Sequence, residues 1–120
     1  ENCDVLSIHC YQPADEMQRF IDLMKTFNRP IFCTEYLARP FGSTFETVFP
    51  VLKKEKVAAY DFGLVKGAMQ CHYEWNKADE NGNKIPFTEE PELWFHDILY
   101  PDGTPYNAAE VEFIKSMTKK

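Results

Sequence analysis

The sequence lacks several features that would assign it to particular classes of protein. No apolar run is long enough to cross a bilayer. Lys and Arg number 13 against 19 Asp and Glu, and the resulting net charge of −6 argues against nucleic acid or an anionic membrane as the main partner. Residues 1–5 show neither the basic region nor the apolar core of a signal peptide. We interpret this start as mid-protein sequence, either of a mature chain or of a fragment.

The four cysteines, Cys3, Cys10, Cys33 and Cys71, form no Cys-x-x-Cys pair. A zinc ribbon or a thioredoxin-like site is therefore not expected. Two disulfides are the alternative for an exported protein, but we expect buried free thiols that pack as small hydrophobic side chains.

The 120 residues, 44% of them hydrophobic, suffice for one globular domain with a modest core. Short apolar runs predict strands over 5–11, 31–36 and 57–65. Apolar residues at helical spacing predict helices over 14–27, from 43 to about 56, and from 107 onwards. Strands and helices alternate through short connections, which predicts an α/β fold with parallel strands and right-handed crossovers.

Local signals predict the ends of the helices. Ser43 and Glu46 have the spacing of a capping box. Pro50 predicts a kink in the second helix, or a short first turn with a restart at this proline. Asn107 is expected to cap the last helix.

Period-two alternation assigns the strand residues to faces. It places His9 and Tyr11 on one face of the first strand, and Glu35 with Cys33 on one face of the second. If these strands are parallel neighbours, Cys10 and Cys33 then lie on opposite faces and cannot pair. The expected inner face carries Ser7, Ile31, Cys33 and Ala58.

Three parallel strands make no closed core, because the first and the third each leave an open edge. Polar groups gather at the carboxyl ends of the strands, which is typical of a (β/α)8 barrel with its active site at that mouth. A doubly wound open sheet is the alternative, but its Gly-rich phosphate loop is absent. Residues 66–106 lack a strong period, and a loop of this length is usually functional.

Three segments of the chain resemble strands six, seven and eight of the clan-A glycoside hydrolases, closest to the family 5, cellulase-like branch. They are Leu6-Ser7-Ile8-His9-Cys10-Tyr11, Arg29-Pro30-Ile31-Phe32-Cys33-Thr34-Glu35-Tyr36 and Tyr60-Asp61-Phe62-Gly63-Leu64-Val65. Residues 94–99 and 101–106 also resemble the end of such domains. The resemblance implies that residues 1–120 are the C-terminal three βα units of one TIM barrel, with strands one to five upstream. It also implies an extracellular or periplasmic location and no cofactor.

The resemblance implies a role for individual residues. Glu35 matches the nucleophile at the end of strand seven, and Tyr11 matches the tyrosine that orients it. His9 matches a histidine near the reacting sugar. Phe62 occupies the place of an aromatic platform that is usually tryptophan, and Trp75 follows a little downstream. The acid/base glutamate belongs to strand four, which this sequence does not contain.

Further residues of the long loop are candidates for binding a carbohydrate. Trp75 is expected to form a wall of a sugar subsite, because the C–H faces of sugar rings stack on aromatic faces. Gln70, His72 and Asn76 are expected to hydrogen-bond sugar hydroxyls. His96 and Asp97 are too few to hold a metal ion, and no metal is expected.

The sequence therefore predicts a retaining O-glycoside hydrolase that acts on a β-linked polysaccharide or oligosaccharide. Its partner is a carbohydrate, and its activity requires the upstream part of the barrel. A carbohydrate-binding pseudoenzyme, or an inactive fragment without the acid/base, is the alternative. The plainest interpretation of the single residues is a solvent-facing Glu35 and a structural His9.

Overall fold

A computed structural model describes residues 3–75 and 78–119 as an α/β fold. Its strands are β1 (Leu6–His9), β2 (Ile31–Glu35) and β3 (Ala58–Ala59). Its helices are α1 (Ala14–Lys25), α2 (Phe45–Glu55) and α3 (Ala108–Thr118), with a 3-10 turn at Arg39–Phe41. The strands form an open parallel sheet in the order β1-β2-β3. The predicted alternation of parallel strands and helices is confirmed.

The core lies on one face of this sheet, where helices α1 and α2 cover it. Ile8 of β1 and Cys33 of β2 are buried there, whereas Ser7 and His9 on the other face are exposed. Apolar side chains at three- and four-residue spacing supply the helical side of the core. They are Met17, Ile21, Phe45, Val48 and Leu52.

The register of β1 and β2 corrects the faces predicted by strict alternation. Ile8 pairs with Cys33, but His9 pairs with Glu35, so Thr34 is skipped. Ile31 and Cys33 therefore lie on the buried face and not on the exposed face with Ser7. Glu35, which follows the irregularity, lies on the same face as His9. A bulge of this kind needs an extra residue on one strand and leaves no periodic trace in the sequence.

The same register corrects the placement of two cysteines. Cys10 and Cys33 are both buried in the same apolar cluster, so the prediction that they lie on opposite faces is wrong. All four cysteines are free thiols, and these two are the buried ones, as expected.

Strand β3 has two residues instead of the nine predicted. The chain follows β2 only a little further, where Tyr60 N–H donates to Cys33 O at 2.9 Å and Phe62 N–H to Tyr36 O at 3.4 Å. Gly63 then adopts a φ of +94°, and Val65 bridges to Leu99. The apolar composition of 57–65 therefore reflects two pairings, that of β3 with β2 and that of Val65 with Leu99.

The N-terminus of α2 also differs from the prediction. Thr44, not Ser43, is the capping residue, and it forms a capping box with Thr47. Ser43 is fully buried, and its Oγ accepts a hydrogen bond from Leu37 N–H at 3.3 Å. The helix continues through Pro50, so the alternative of a restart there is wrong. Asn107 caps α3 as predicted, since its Oδ1 accepts from Ala109 N–H and Glu110 N–H.

An ion pair joins the loop after β2 to α3. Arg39 donates from Nε and Nη2 to the carboxylate of Glu110 at 2.9 and 2.6 Å, and from Nη1 to Trp94 O at 3.1 Å. Both charged side chains are buried. This pair fixes the loop that follows the sheet's central strand.

The described part of 66–106 contains isolated bridges and turns rather than helices or longer strands. Residues 91–99 contain bends and the bridge at Leu99 but no helical turn. None of the helices in 3–75 and 78–119 has the length and apolarity needed to traverse a membrane.

Candidate active site

Glu35 lies at the carboxyl end of the central strand with two polar neighbours from the adjacent strand. Tyr11 Oη donates to Glu35 Oε2 at 2.5 Å. His9 Nδ1 lies 3.2 Å from the same oxygen. The Glu35 side chain is 28% exposed, so it is sheltered and still reachable from solvent. The structure thus brings together the three residues that the sequence predicted for the reaction centre.

The surroundings of Tyr11 keep its hydroxyl group protonated, so that it can donate a hydrogen bond. Burial raises the pKa of Tyr11 far above its usual value, and the hydrogen bond to Glu35 raises it further. The phenol therefore stays protonated across the physiological range and always offers its proton to the carboxylate. Both contacts fall on Oε2, and no hydrogen bond from the described residues reaches Oε1. The second oxygen keeps its lone pairs for a ligand.

The backbone just after Glu35 is strained. Leu37 is fully buried and adopts a φ of +77°, which is costly for a residue with a branched side chain. Its N–H donates to Ser43 Oγ, and its carbonyl is hydrogen-bonded to Nδ1 of His96. Two side chains from distant parts of the chain therefore hold this turn.

A cavity of about 320 Å³ is connected to this group through Tyr11, whose ring contacts the lining residues Trp75 and His96; Glu35, His9 and Tyr11 themselves do not line it. Three of the predicted substrate-binding residues, Phe62, Gln70 and Trp75, line it together. The Trp75 ring is half exposed and meets the Tyr11 ring edge-on, with centroids 4.9 Å apart. The other lining residues are Met69, Cys71, Tyr73, Glu74, Phe87 and His96.

One predicted residue does not line this cavity, and another cannot be compared with the prediction. His72 is only 3% exposed, and its ring packs on Tyr73 and Trp94 while Nδ1 lies 3.5 Å from Asp97 Oδ2. That it binds a sugar hydroxyl stays a prediction. Asn76 lies outside the described residues.

His96 is the functional candidate that the sequence did not single out for the site. Its ring lies 5.2 Å from that of Tyr11 and 5.4 Å from that of Phe62, measured between centroids. Desolvation by burial lowers the pKa of His96, so the imidazole is neutral near pH 7. The sequence showed it only beside Asp97, as half of a metal pair, and its contact with Leu37 comes from tertiary structure.

Within 3–75 and 78–119 no three His, Cys, Asp or Glu side chains are grouped so that they could hold a metal ion. An oriented, partly exposed carboxylate can act as a nucleophile or as a general base.

Comparisons of the chain with models of protein families, with curated protein sequences and with solved structures found no match. A functional assignment therefore depends on the residues and the geometry of the site.

Proposed function

We propose that this chain is the C-terminal part of a retaining β-glycoside hydrolase in which Glu35 is the nucleophile. One observation carries the proposal: a phenol that stays protonated donates to the carboxylate at the end of a central parallel strand. A solvent-facing structural glutamate has no need of such a partner. The hydrogen bond stabilises the charged carboxylate and fixes its direction.

The reaction would proceed in two displacements. Glu35 Oε1 attacks the anomeric carbon, and the glycosidic C–O bond breaks as a second carboxylic acid protonates the leaving oxygen. Water, deprotonated by that second carboxylate, then attacks the glycosyl ester and releases Glu35. The two carboxyl groups of a retaining enzyme stand about 5–5.5 Å apart. In this proposal the second group comes from a strand upstream of β1.

The proposal also completes the sheet as a (β/α)8 barrel. Three parallel strands in sequential order, with helices on one face only, support this architecture. The uncovered face carries the exposed Ser7 and His9 and the half-buried Phe32, whose ring stacks on that of the exposed Tyr60. In a barrel these residues would face the interior and its mouth.

The cavity supports a carbohydrate as the substrate. Trp75 and Phe62 offer aromatic surface to the apolar faces of sugar rings, and Gln70 offers an amide to their hydroxyls. The substrate in this proposal is a β-linked oligosaccharide or polysaccharide.

The decisive experiment uses the protein with its complete barrel and 4-nitrophenyl β-cellobioside as the substrate. We expect Glu35→Gln to abolish turnover, while Glu112→Gln, which changes an exposed carboxylate on α3, leaves it unchanged. In Glu35→Ala, added azide should replace the nucleophile and yield the α-configured glycosyl azide. A β-configured azide would instead assign Glu35 as the acid/base, and full turnover in Glu35→Gln would overturn the proposal.

The alternative, a binding protein without catalysis, has the cavity in its favour. It predicts that the wild type and Glu35→Gln bind cellooligosaccharides equally and that neither forms product. Titration calorimetry beside the activity assay separates the two functions.

A further inference from the structure

We propose that His96 is a positioning residue for the nucleophile, because it holds the strained turn after Glu35 and the ring of Tyr11. The catalytic consequence rests on the proposed function, whereas the positioning of the two side chains does not. His96 is not offered as a catalytic residue, since it acts on Glu35 through other groups.

The hydrogen bond to Leu37 fixes the tautomer of His96. A carbonyl oxygen only accepts, so Nδ1 must carry the proton that it donates to Leu37 O. The ring is neutral, as its burial requires, and Nε2 is then a lone-pair acceptor. This atom is buried and has no hydrogen-bond partner among the described residues.

Leu37 needs this hold because its conformation is unfavourable. A φ of +77° is unfavourable for a non-glycine residue and persists only where the surroundings enforce it. Ser43 secures the N–H of Leu37, and His96 secures its carbonyl. Loss of either hydrogen bond lets Leu37 relax toward ordinary φ values. This relaxation would rotate the end of the strand that carries Glu35.

A second contact reaches the same carboxylate through Tyr11. The rings of His96 and Tyr11 lie 5.2 Å apart with an interplanar angle of 48°, and Tyr11 Oη donates to Glu35. His96 therefore supports both the backbone next to Glu35 and the donor that orients its side chain.

The position of His96 is itself enforced by Gly63. A Cβ atom at Gly63 would stand 3.0 Å from His96 Cβ and 2.8 Å from Asp97 Oδ1. The backbone of the chain after β3 thus packs directly against this histidine and leaves it little freedom to move.

The test replaces His96 by Asn or by Gln, whose side-chain amides differ in length, in the protein with its complete barrel. The side-chain nitrogen of Asn corresponds to Nδ1 of histidine, whereas that of Gln corresponds to Nε2. His96→Asn should keep the bond to Leu37, and His96→Gln should lose it. With 4-nitrophenyl β-cellobioside we expect kcat to fall on the order of 100-fold in His96→Gln with little change in KM, and to stay within about 10-fold in His96→Asn.

A spectroscopic measurement makes the test independent of catalysis. The short hydrogen bond between Tyr11 and Glu35 should give a downfield hydroxyl proton signal in NMR that Tyr11→Phe removes. We expect the signal to persist in His96→Asn and to shift or disappear in His96→Gln. If the wild type hydrolyses nothing, this signal still decides the positioning role, while the proposed function fails separately.

A second variant guards against general misfolding of His96→Gln. Ser43→Ala is a small change that removes the other contact holding the turn, the hydrogen bond that Leu37 N–H donates to Ser43 Oγ. It should therefore shift the Tyr11 signal as His96→Gln does. Equal effects of Asn and Gln at position 96 with an unchanged Tyr11 signal would overturn the proposal, and so would an unchanged Tyr11 signal in Ser43→Ala.

Discussion

His9 and Glu35 pair with each other in the register of two neighbouring strands. They do so because Thr34, which follows Cys33 in the preceding pair of Ile8 and Cys33, is skipped. Thr34 is held in this irregularity by its own side chain, whose Oγ1 lies 2.8 Å from Ser7 Oγ and donates to Ile8 O at 3.4 Å. Without the irregularity, Glu35 would pair with Cys10 on the buried face. The reactive carboxylate of the proposed site therefore depends on a local break in the sheet.

Replacing Tyr11 tests the hydrogen bond on which the proposed function depends. A hydrogen bond to a charged group contributes about 1.5–3 kcal/mol, so Tyr11→Phe should lower kcat on the order of 10- to 100-fold while the fold is kept. Tyr100→Phe is the matched control, because Tyr100 is partly exposed, packs on Trp94 and does not line the cavity. Steady-state kinetics of the complete protein measure both. Equal kcat in the wild type and Tyr11→Phe would show that the phenol does not act on the nucleophile.

The buried ion pair of Arg39 predicts a large loss of stability in Glu110→Gln. Removal of one charge leaves the guanidinium buried without a counter-charge, which costs about 3–5 kcal/mol. Glu112→Gln on the same helix removes an exposed partner of Lys115 and should change the free energy of unfolding by about 0.5 kcal/mol or less. Urea denaturation compares the two variants. A similar small loss in both would mean that the buried pair contributes no more than the exposed one.

Substituting two glycines that have similar backbone angles distinguishes the cost of a steric clash from the cost of backbone strain. Gly63 and Gly103 have φ of +94° and +84°, but a Cβ meets close neighbours only at Gly63. Gly103→Ala should cost about 1 kcal/mol from strain alone, and Gly63→Ala about 1–3 kcal/mol more. Thermal unfolding of the two variants measures the difference. Equal destabilisation would contradict the close packing of Gly63 against Asp97.

The buried histidine predicts a pH dependence of stability. Desolvation lowers the pKa of His96 below its ordinary value of 6.5. This effect exceeds the opposing influence of the hydrogen bond to Leu37 O and of the charges of Asp97 and Glu35, and the charge of Arg39 adds to it. Below about pH 6.5 the unfolded chain takes up a proton that the folded chain does not, so stability is fully present above that pH and falls as the pH drops. His96→Asn should show a shallower loss between about pH 8 and about pH 5.5.

Denaturant midpoints measured across that pH range give the slope of stability against pH for the wild type and for His96→Asn. The two slopes are compared, and not the absolute stabilities. Burial also raises the pKa of Asp97 above 3.8, which gives a change of opposite sign at lower pH. That contribution is present in both proteins. Parallel curves would refute the assignment of the acid-side loss to His96.

The sequence predicted those parts of the molecule that depend on local pattern. Apolar spacing located the helices, and Asn107 was identified as a cap because its side chain bonds to backbone two and three residues away. The roles of His9, Tyr11 and Glu35 were predicted from the resemblance to strand ends of glycoside hydrolases, and the carboxyl ends of parallel strands meet at one edge of a sheet.

What the sequence could not predict depends on contacts between distant segments. The skipped Thr34 follows from how two strands meet, and the length of β3 was set by a competing partner, Leu99. Ser43 looked like a cap but serves Leu37 instead, six residues before it. His96 carried no signal for this role, since the role is defined by a carbonyl 59 residues away.

The bond between Arg39 and Glu110 has a consequence for biosynthesis. Its two ends are 71 residues apart, so a ribosome that adds about 5–20 residues per second completes the loop after β2 several seconds before it makes the anchor for that loop. During this interval the guanidinium of Arg39 has to stay hydrated, and the turn that follows Glu35 lacks its outer support. The proposed site therefore gains this support only after residue 110 has been made.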